Sequence, residues 1–330
     1  MMLTFKAPSK SFLLGEYLAT QGGLAQVAVF EPCFQLKVLS CDQMDHFHED
    51  PRIEDIKTSY VAAEKLFHPA SPAGKWISEN TEFFQNYRFQ FLDPHQGRGG
   101  FGASTAQYLL IRQFQESIKQ GRIKAEAEKS IVKNSSWIQE SLSVEQLHRI
   151  WKDYRRLAWS GKGAIPSGAD LVAQSREHIC FFRGEDFFQQ SLSWPFPDLV
   201  LSFFATGIKL ATHEHLGSLH TLNVDLLKKI SENSYQAIVE KNAPAWIQSV
   251  QDYRRALLQQ GLEAHTTTAL LENLPSRVLA AKGCGAMGVD ILLIVAKVAD
   301  QESVRTHFEN LGLRWIQDSQ NLYTATTRGT

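Results

Sequence analysis

Residues 87–108 constrain the chain most, because they combine a strand pattern, a glycine-rich turn and the start of a helix. The segment is YRFQFLDPHQGRGGFGASTAQY. Glycines let a backbone approach a ligand closely, and the first turn of a helix offers unpaired N–H groups and partial positive charge to an anion. The order strand, turn, helix therefore predicts a phosphate-binding loop.

Four interpretations of this turn compete. Gly97, Gly99 and Gly102 satisfy G-x-G-x-x-G, the dinucleotide-binding pattern, but no second strand with an acidic residue follows ~20 positions later. The range 97–104 imitates a Walker A loop, except that Ala103 replaces its lysine. A third form, G-[LF]-G-[SA]-S-[AT] at 100–105, binds a triphosphate without a lysine in the loop. The fourth interpretation is a plain glycine turn before a core helix.

Composition limits the possible partners. At 330 residues, 43% of them hydrophobic, the chain is long enough for the cores of two moderate domains. A formal net charge of −1 disfavours a basic face for nucleic acid or an anionic membrane, and the apolar run at 291–296 is too short to span a bilayer. We therefore expect a small-molecule substrate as partner, with neither nucleic acid nor membrane, and leave a homodimer open.

The four cysteines, at positions 33, 41, 180 and 284, show no C-x-x-C spacing. This disfavours a disulfide framework and a zinc site, and it is typical of buried or incidental thiols in a reducing compartment. We expect a cytoplasmic protein.

Strand and helix patterns predict an α+β protein of two domains. Residues 3–40 have the pattern of a β-meander, the helix from Ser104 carries an apolar stripe, and Ser143 followed by Gln146 predicts a capping box. The proline- and aromatic-rich stretch 184–197 suggests a junction, which gives domains 1–183 and 184–330. In the second half, strands at 199–205 and 290–296 and a hairpin of 313–316 with 322–326 alternate with long helices.

Besides the glycine loop, four segments could carry chemistry. Each is weak alone: the lysine in the first is typical of a surface lysine, the aspartate in the third of a helix start, and the fourth of a helix-to-strand turn. They are APSKSFLLGEY at 7–17, ATGIKLAT at 205–212, GKGAIPSGADLVA at 161–173 and KGCGAMG at 282–288.

The order and spacing of these segments make the chain resemble the GHMP family of small-molecule kinases, which includes galactokinase, homoserine kinase, mevalonate kinase and phosphomevalonate kinase. The resemblance extends over about the full chain. It implies a two-domain α+β fold, with an N-terminal domain like ribosomal protein S5 domain 2 and a ferredoxin-like C-terminal domain. It also implies the cofactors ATP and Mg²⁺.

The resemblance further implies roles for individual residues. Lys10 and Asp170 are the expected catalytic residues beside the acceptor hydroxyl, and Ser104 is the expected Mg²⁺ ligand. The expected ATP-binding residues are Gly97, Gly99, Gly100, Gly102, Ala103, Ser104 and Thr105. The expected residues of the substrate site and of the loop that closes over it are Glu16, Ser167, Gly168, Lys209, Thr212, Gly283, Gly285 and Gly288.

The acceptor is expected to be phosphomevalonate, because the sequence Gly15-Glu16-Tyr17 and the Ser-Gly-x-Asp-Leu-Val-Ala pattern resemble phosphomevalonate kinase. Mevalonate is the second possibility, since the triplet at 166–168 resembles mevalonate kinase. Departures from the family at Ser9, Ala103 and 286–287 also leave open a member without catalysis that acts as a binding protein. An NAD-linked oxidoreductase rests on G-x-G-x-x-G alone.

Overall fold

The computed structural model describes residues 2–42, 59–121, 136–138, 142–207, 223–285, 288 and 290–324. By contacts the chain divides into two compact units, each made of separate segments. The first unit consists of Met1–Pro8, Pro32–Gln96 and Ala103–Trp159, and the second of Ser9–Glu31, Gly97–Gly102 and Ser160–Thr330. The two domains expected from the sequence are continuous stretches, so their division at residue 184 stays a prediction.

Within the described residues, helices alternate with strands that pair mostly antiparallel, which confirms the expected α+β class. The strands are β1 (Leu3–Leu14), β2 (Leu24–Ser40), β3 (Tyr87–Leu92), β4 (Ser136–Ile138), β5 (Ile179–Arg183), β6 (Phe188–Leu192), β7 (Leu199–Ala205), β8 (Val278–Cys284), β9 (Ile291–Lys297) and β10 (Arg314–Asp318). The α-helices are α1 (Ala63–Leu66), α2 (Pro72–Glu79), α3 (Thr81–Phe84), α4 (Ala103–Lys119), α5 (Val144–Ala158), α6 (Ala169–Gln174), α7 (Val224–Val239), α8 (Ala243–Gln259), α9 (His265–Leu270) and α10 (Gln301–Asn310).

In the first unit, β1 pairs in parallel with β4 and β2 pairs antiparallel with β3. The predicted apolar stripe of α4 is buried and packs in an aromatic core, where the ring of Phe114 lies 5.6 Å from that of Phe89. Helix α5 begins with the predicted capping box: the Gln146 N–H donates to Ser143 Oγ, and the Ser143 N–H donates to Gln146 Oε1.

In the second unit, β2 pairs with β5, and β5 forms a hairpin with β6. A second, four-stranded antiparallel sheet has the order β10-β7-β9-β8. The central strands β7 and β9 are almost completely buried, as their continuous apolar runs predict, and helices α8 and α10 contact this sheet.

The predicted hairpin of 313–316 with 322–326 is wrong. Strand β10 pairs with β7, and Leu322 forms a bridge with Phe30 in β2. The alternation of apolar and polar residues predicted the strand but not its partner strand. The backbone N–H and C=O groups of such a strand can pair with the edge of any neighbouring strand. Within the part of the chain that the structure describes, every helix is too short or too polar to cross a bilayer.

Candidate functional site

The first glycine turn, residues 97–102, precedes helix α4 and has a positive φ at three glycines, one of which is Gly97 at +79°. Gly100 has φ +88° and Gly102 has φ +90°, a left-handed conformation that side chains disfavour. A Cβ on Gly100 would lie 2.9 Å from Cβ of Asp290, and one on Gly102 would lie 3.0 Å from Cγ of Lys10. By contrast, a Cβ on Gly97 would contact nothing within 4 Å. The end of the turn is therefore packed closely against side chains of the second unit.

Lys10, on strand β1, lies against this turn. Its N–H donates to the Phe101 carbonyl at 3.1 Å, and the residue is only 8% exposed. The ammonium lies 5.1 Å from the centre of the Phe12 ring. Among the described residues, no carboxylate lies within 4.0 Å of it. A nearly buried cation without an acidic partner normally loses hydration energy with nothing in return, so its position suits an anionic ligand.

Helix α6 places a second side chain beside Gly102, at the end of the first glycine turn. Gln174, at its last turn, is 2% exposed, and its amide nitrogen would lie 2.9 Å from a Cβ on Gly102. Residues four apart share one face of a helix, so Asp170 is on the face of α6 that carries Gln174.

Asp170 itself is in the first turn of α6, after Gly168, which has φ +68°. One oxygen of Asp170 accepts from the Leu171 N–H at 3.1 Å, and the Ser167 hydroxyl accepts from the Ala169 N–H at 3.3 Å. The structure places no ion pair between Asp170 and Lys10.

Of the second glycine turn at 283–288 the structure describes residues 283–285 and 288, and here the backbone of Gly283 packs against that of Gly288. A Cβ on Gly283 would overlap the carbonyl oxygen of Gly288, and the Thr267 hydroxyl donates to that carbonyl at 3.0 Å. Gly285 has φ +89°, and its Cβ would lie 2.7 Å from Oδ2 of Asp290. Since Asp290 also contacts Gly100, the two glycine turns meet at one side chain although about half of the chain separates them in sequence.

Glu16 takes part in a buried ion pair. Its side chain is 7% exposed, and Oε1 lies 2.7 Å from Nζ of Lys282, which is 0% exposed. The Lys282 ammonium also lies 3.6 Å from Sγ of Cys284. Burial lowers the pKa of Lys282, but the neighbouring Cys284 and Glu16 outweigh it, and the net shift is upward.

The remaining predicted residues belong to the first unit or fall outside the described residues. Ala103, Ser104 and Thr105 form the first turn of α4 in the first unit, where Ser104 is exposed and Thr105 buried. Lys209 and Thr212 fall outside the described residues.

Neither the comparison with protein-family models nor the comparison with curated proteins gives a match. Solved structures do match over nearly the full chain. The Lin0012 protein of Listeria innocua has a TM-score of 0.69 at 16% identity, with 100% of both chains covered. The phosphomevalonate kinase of Streptococcus pneumoniae has a TM-score of 0.66 at 12% identity, covering 96% of this chain and 99% of that one. The mevalonate kinase of Methanococcus jannaschii has a TM-score of 0.65 at 11% identity, covering 96% and 97%.

This chain has the GHMP kinase fold. The resemblance inferred from the sequence is confirmed at the level of the fold, over about the full length that the five segments span. Identities of 11–16% establish the fold and leave activity and substrate to be proposed separately.

Three residues of the candidate site were missed in the sequence. Gln174 follows Asp170 by one helical turn, Asp290 follows the second glycine turn, and Lys282 precedes it. The helical spacing from Asp170 was a usable signal for Gln174. For Asp290 and Lys282 no local pattern exists, because their partners are distant in sequence.

The residues at the glycine turns suit a phosphate group with its metal. Glycines in left-handed conformation favour phosphate, as does a lysine without a carboxylate partner among the described residues, and Mg²⁺ usually takes one or two carboxylates together with phosphate oxygens. Asp170 and Asp290, both in the second unit, are carboxylates of that kind. Ser104, in the first unit, stays a prediction as the Mg²⁺ ligand. Within the described residues, no cluster of three His, Cys, Asp or Glu side chains gathers to form a metal cage of its own.

Proposed function

We propose that this chain is a distant GHMP family member that transfers the γ-phosphoryl group of ATP to a small acidic metabolite. The observation that carries the proposal is Lys10: a nearly buried ammonium, beside the first glycine turn, with no acidic partner among the described residues. Phosphate is the ligand that such a cation and such a backbone favour together.

Phosphoryl transfer passes through a loose transition state, so positioning and charge stabilisation provide most of the catalysis. In our proposal Lys10 stabilises the negative charge on the transferred group, and the N–H groups of the glycine turns hold the phosphates. Asp170 orients the acceptor hydroxyl and accepts its proton, and Gln174, on the same face of α6, keeps Lys10 in place. Mg²⁺ held by the phosphates would neutralise further charge when bound.

We propose phosphomevalonate as the acceptor. The segments 15–17 and 167–173 support it, and the S. pneumoniae protein with the same fold is a phosphomevalonate kinase. The triplet at 166–168 favours mevalonate instead, as a second candidate.

A panel of acceptors with detection of ADP tests this assignment. We expect turnover with phosphomevalonate and little with mevalonate; turnover of mevalonate alone would reverse the order of the two acceptors. If no acceptor is turned over while MgATP still binds in a calorimetric titration, the chain is a binding protein, an outcome that the departures at Ser9 and Ala103 would explain. The cytoplasmic location and the oligomeric state stay predictions.

A further inference from the structure

We propose that Lys282 is a positioning residue: its buried ion pair with Glu16 fixes the second glycine turn relative to the strand that carries Lys10. The inference rests on the proposed function in one respect, since it takes the turn at 283–288 to face the nucleotide.

The Glu16 end of the pair is a fixed point. Glu16 follows Gly15, whose φ is +91°. A Cβ on Gly15 would overlap the carbonyl oxygen of Leu24 and lie 2.7 Å from Cα of Ala25, both on β2. With this turn pressed against a neighbouring strand, the Glu16 carboxylate has little freedom to move.

Lys282 lies on a strand that backbone pairing holds on one side only, among the described residues. Lys282 lies near the end of β8, which is the last strand in the order β10-β7-β9-β8. Among the described residues, β8 pairs with β9 on one side, and no further strand continues the ladder on the other. The ion pair therefore holds β8 to the Gly15–Glu16 turn, 266 residues away in sequence, where backbone pairing does not.

Stability alone does not explain this pair. Removing two charges from water is costly, and apolar side chains of similar volume often stabilise a core equally well. The second oxygen of Glu16 is buried and accepts no hydrogen bond from any residue that the structure describes. Because one carboxylate oxygen of the pair lacks a hydrogen bond among the described residues, we infer that the pair serves to hold the two segments in position rather than to stabilise the core.

The geometry that it fixes is that of the second glycine turn. Gly283 follows Lys282 directly and packs against Gly288, and Asp290 then contacts both turns. A shift at Lys282 is therefore transmitted through Gly283 to the place where the two turns meet. Misplacement by about 1 Å near reacting groups can cost about 10²-fold in rate.

The test replaces both charges by apolar groups, in the variant Glu16→Leu/Lys282→Met, which leaves no buried charge unpaired. We expect it to fold, to show a KM for MgATP raised about tenfold or more, and to exchange amide hydrogens of residues 283–290 faster than the wild type. The control Arg112→Met/Asp153→Leu removes an ion pair of 2.7 Å in the first unit. The control should leave this KM within about twofold of the wild type.

A folded double variant with unchanged KM and unchanged exchange would overturn the proposal. Should that variant fail to fold, Lys282→Arg retains the charge but changes its reach; a raised KM with near-normal thermal stability supports positioning, and a normal KM contradicts it. If the wild type itself turns over no ATP, the proposed function fails, and the exchange measurement still decides whether Lys282 holds the turn.

Discussion

Two lysines of the second unit lie beside the two glycine turns, and their surroundings differ. Lys10 contacts the first turn and has no carboxylate within 4.0 Å among the described residues, whereas Lys282 precedes the second turn and pairs with Glu16 at 2.7 Å. Both are at most 8% exposed. Burial alone therefore does not tell a ligand-binding cation from a structural one; the presence of an anionic partner does.

The two glycine turns also differ in the groups that pack against them. Side chains of Lys10, Gln174 and Asp290 approach the first turn, whereas in the described part of the second turn Gly283 packs on the Gly288 backbone and only Asp290 approaches Gly285.

The largest effect is expected from Asp170→Asn, which tests the catalytic role that we propose for this carboxylate. Turnover should fall about 10³-fold because the acceptor's proton loses its base, while affinity for MgATP changes little. Steady-state kinetics with a parallel calorimetric titration measures both. A near-normal rate would remove Asp170 from the mechanism.

Lys10→Met should lower kcat/KM about 10²–10³-fold, since a cation that stabilises the transferred group is lost. Its free energy of unfolding should stay level or rise, because no ion pair is broken. Steady-state kinetics measures kcat/KM, and urea unfolding of the same preparation measures the free energy of unfolding. A marked loss of stability would show that Lys10 has a structural partner.

In contrast to Lys10→Met, Lys282→Met should lower the free energy of unfolding by about 3 kcal/mol, because it leaves the Glu16 carboxylate buried and unpaired. Urea unfolding monitored by circular dichroism measures this. Equal stability of wild type and variant would mean that the Glu16 charge is compensated in another way.

Gly102→Ala and Gly97→Ala separate crowding from backbone strain. Both have positive φ, +90° and +79°, so each alanine should cost about 1–2 kcal/mol. Only the alanine at position 102 would also crowd Lys10 and Gln174, so only that variant should show a raised KM for MgATP. The same KM in both variants would argue that the end of the first turn does not contact the nucleotide.

The smallest effect is one of pH. The pKa of Lys282 is shifted upward, and burial raises the pKa of Cys284. Both groups keep their protons in the folded state to higher pH than in the unfolded one. Their contribution to stability is therefore complete below about pH 8.5, the ordinary pKa of a free thiol, and is lost as the pH rises further. Chemical unfolding between pH 7 and about 11 should show a plateau and then a decline; a decline that begins on the acidic side would contradict the sign of these shifts.

Much of the fold followed from local patterns. The stripe of α4, the capping box of Ser143 and the buried runs of β7 and β9 depend on neighbours a few residues away, and these predictions were confirmed. The pairing of β10 was wrong, because alternation does not specify a partner strand.

The candidate site was accessible to sequence reasoning only in part. Glycines, a lysine and an aspartate in the order of a known family indicated which segments matter. The contact of both turns with Asp290 and the pairing of Glu16 with Lys282 join distant segments, and no local pattern encodes them.

The central claim is that Lys10 and the glycine turns form a site for the phosphates of ATP. Calorimetric titration of the wild type with the Mg²⁺ complex of AMPPNP, a non-hydrolysable ATP analogue, tests it most directly, with Gly102→Ala as the matched variant. We predict binding of one nucleotide per chain, weakened in the variant. A titration without heat at several temperatures, or equal affinity in both proteins, would contradict it.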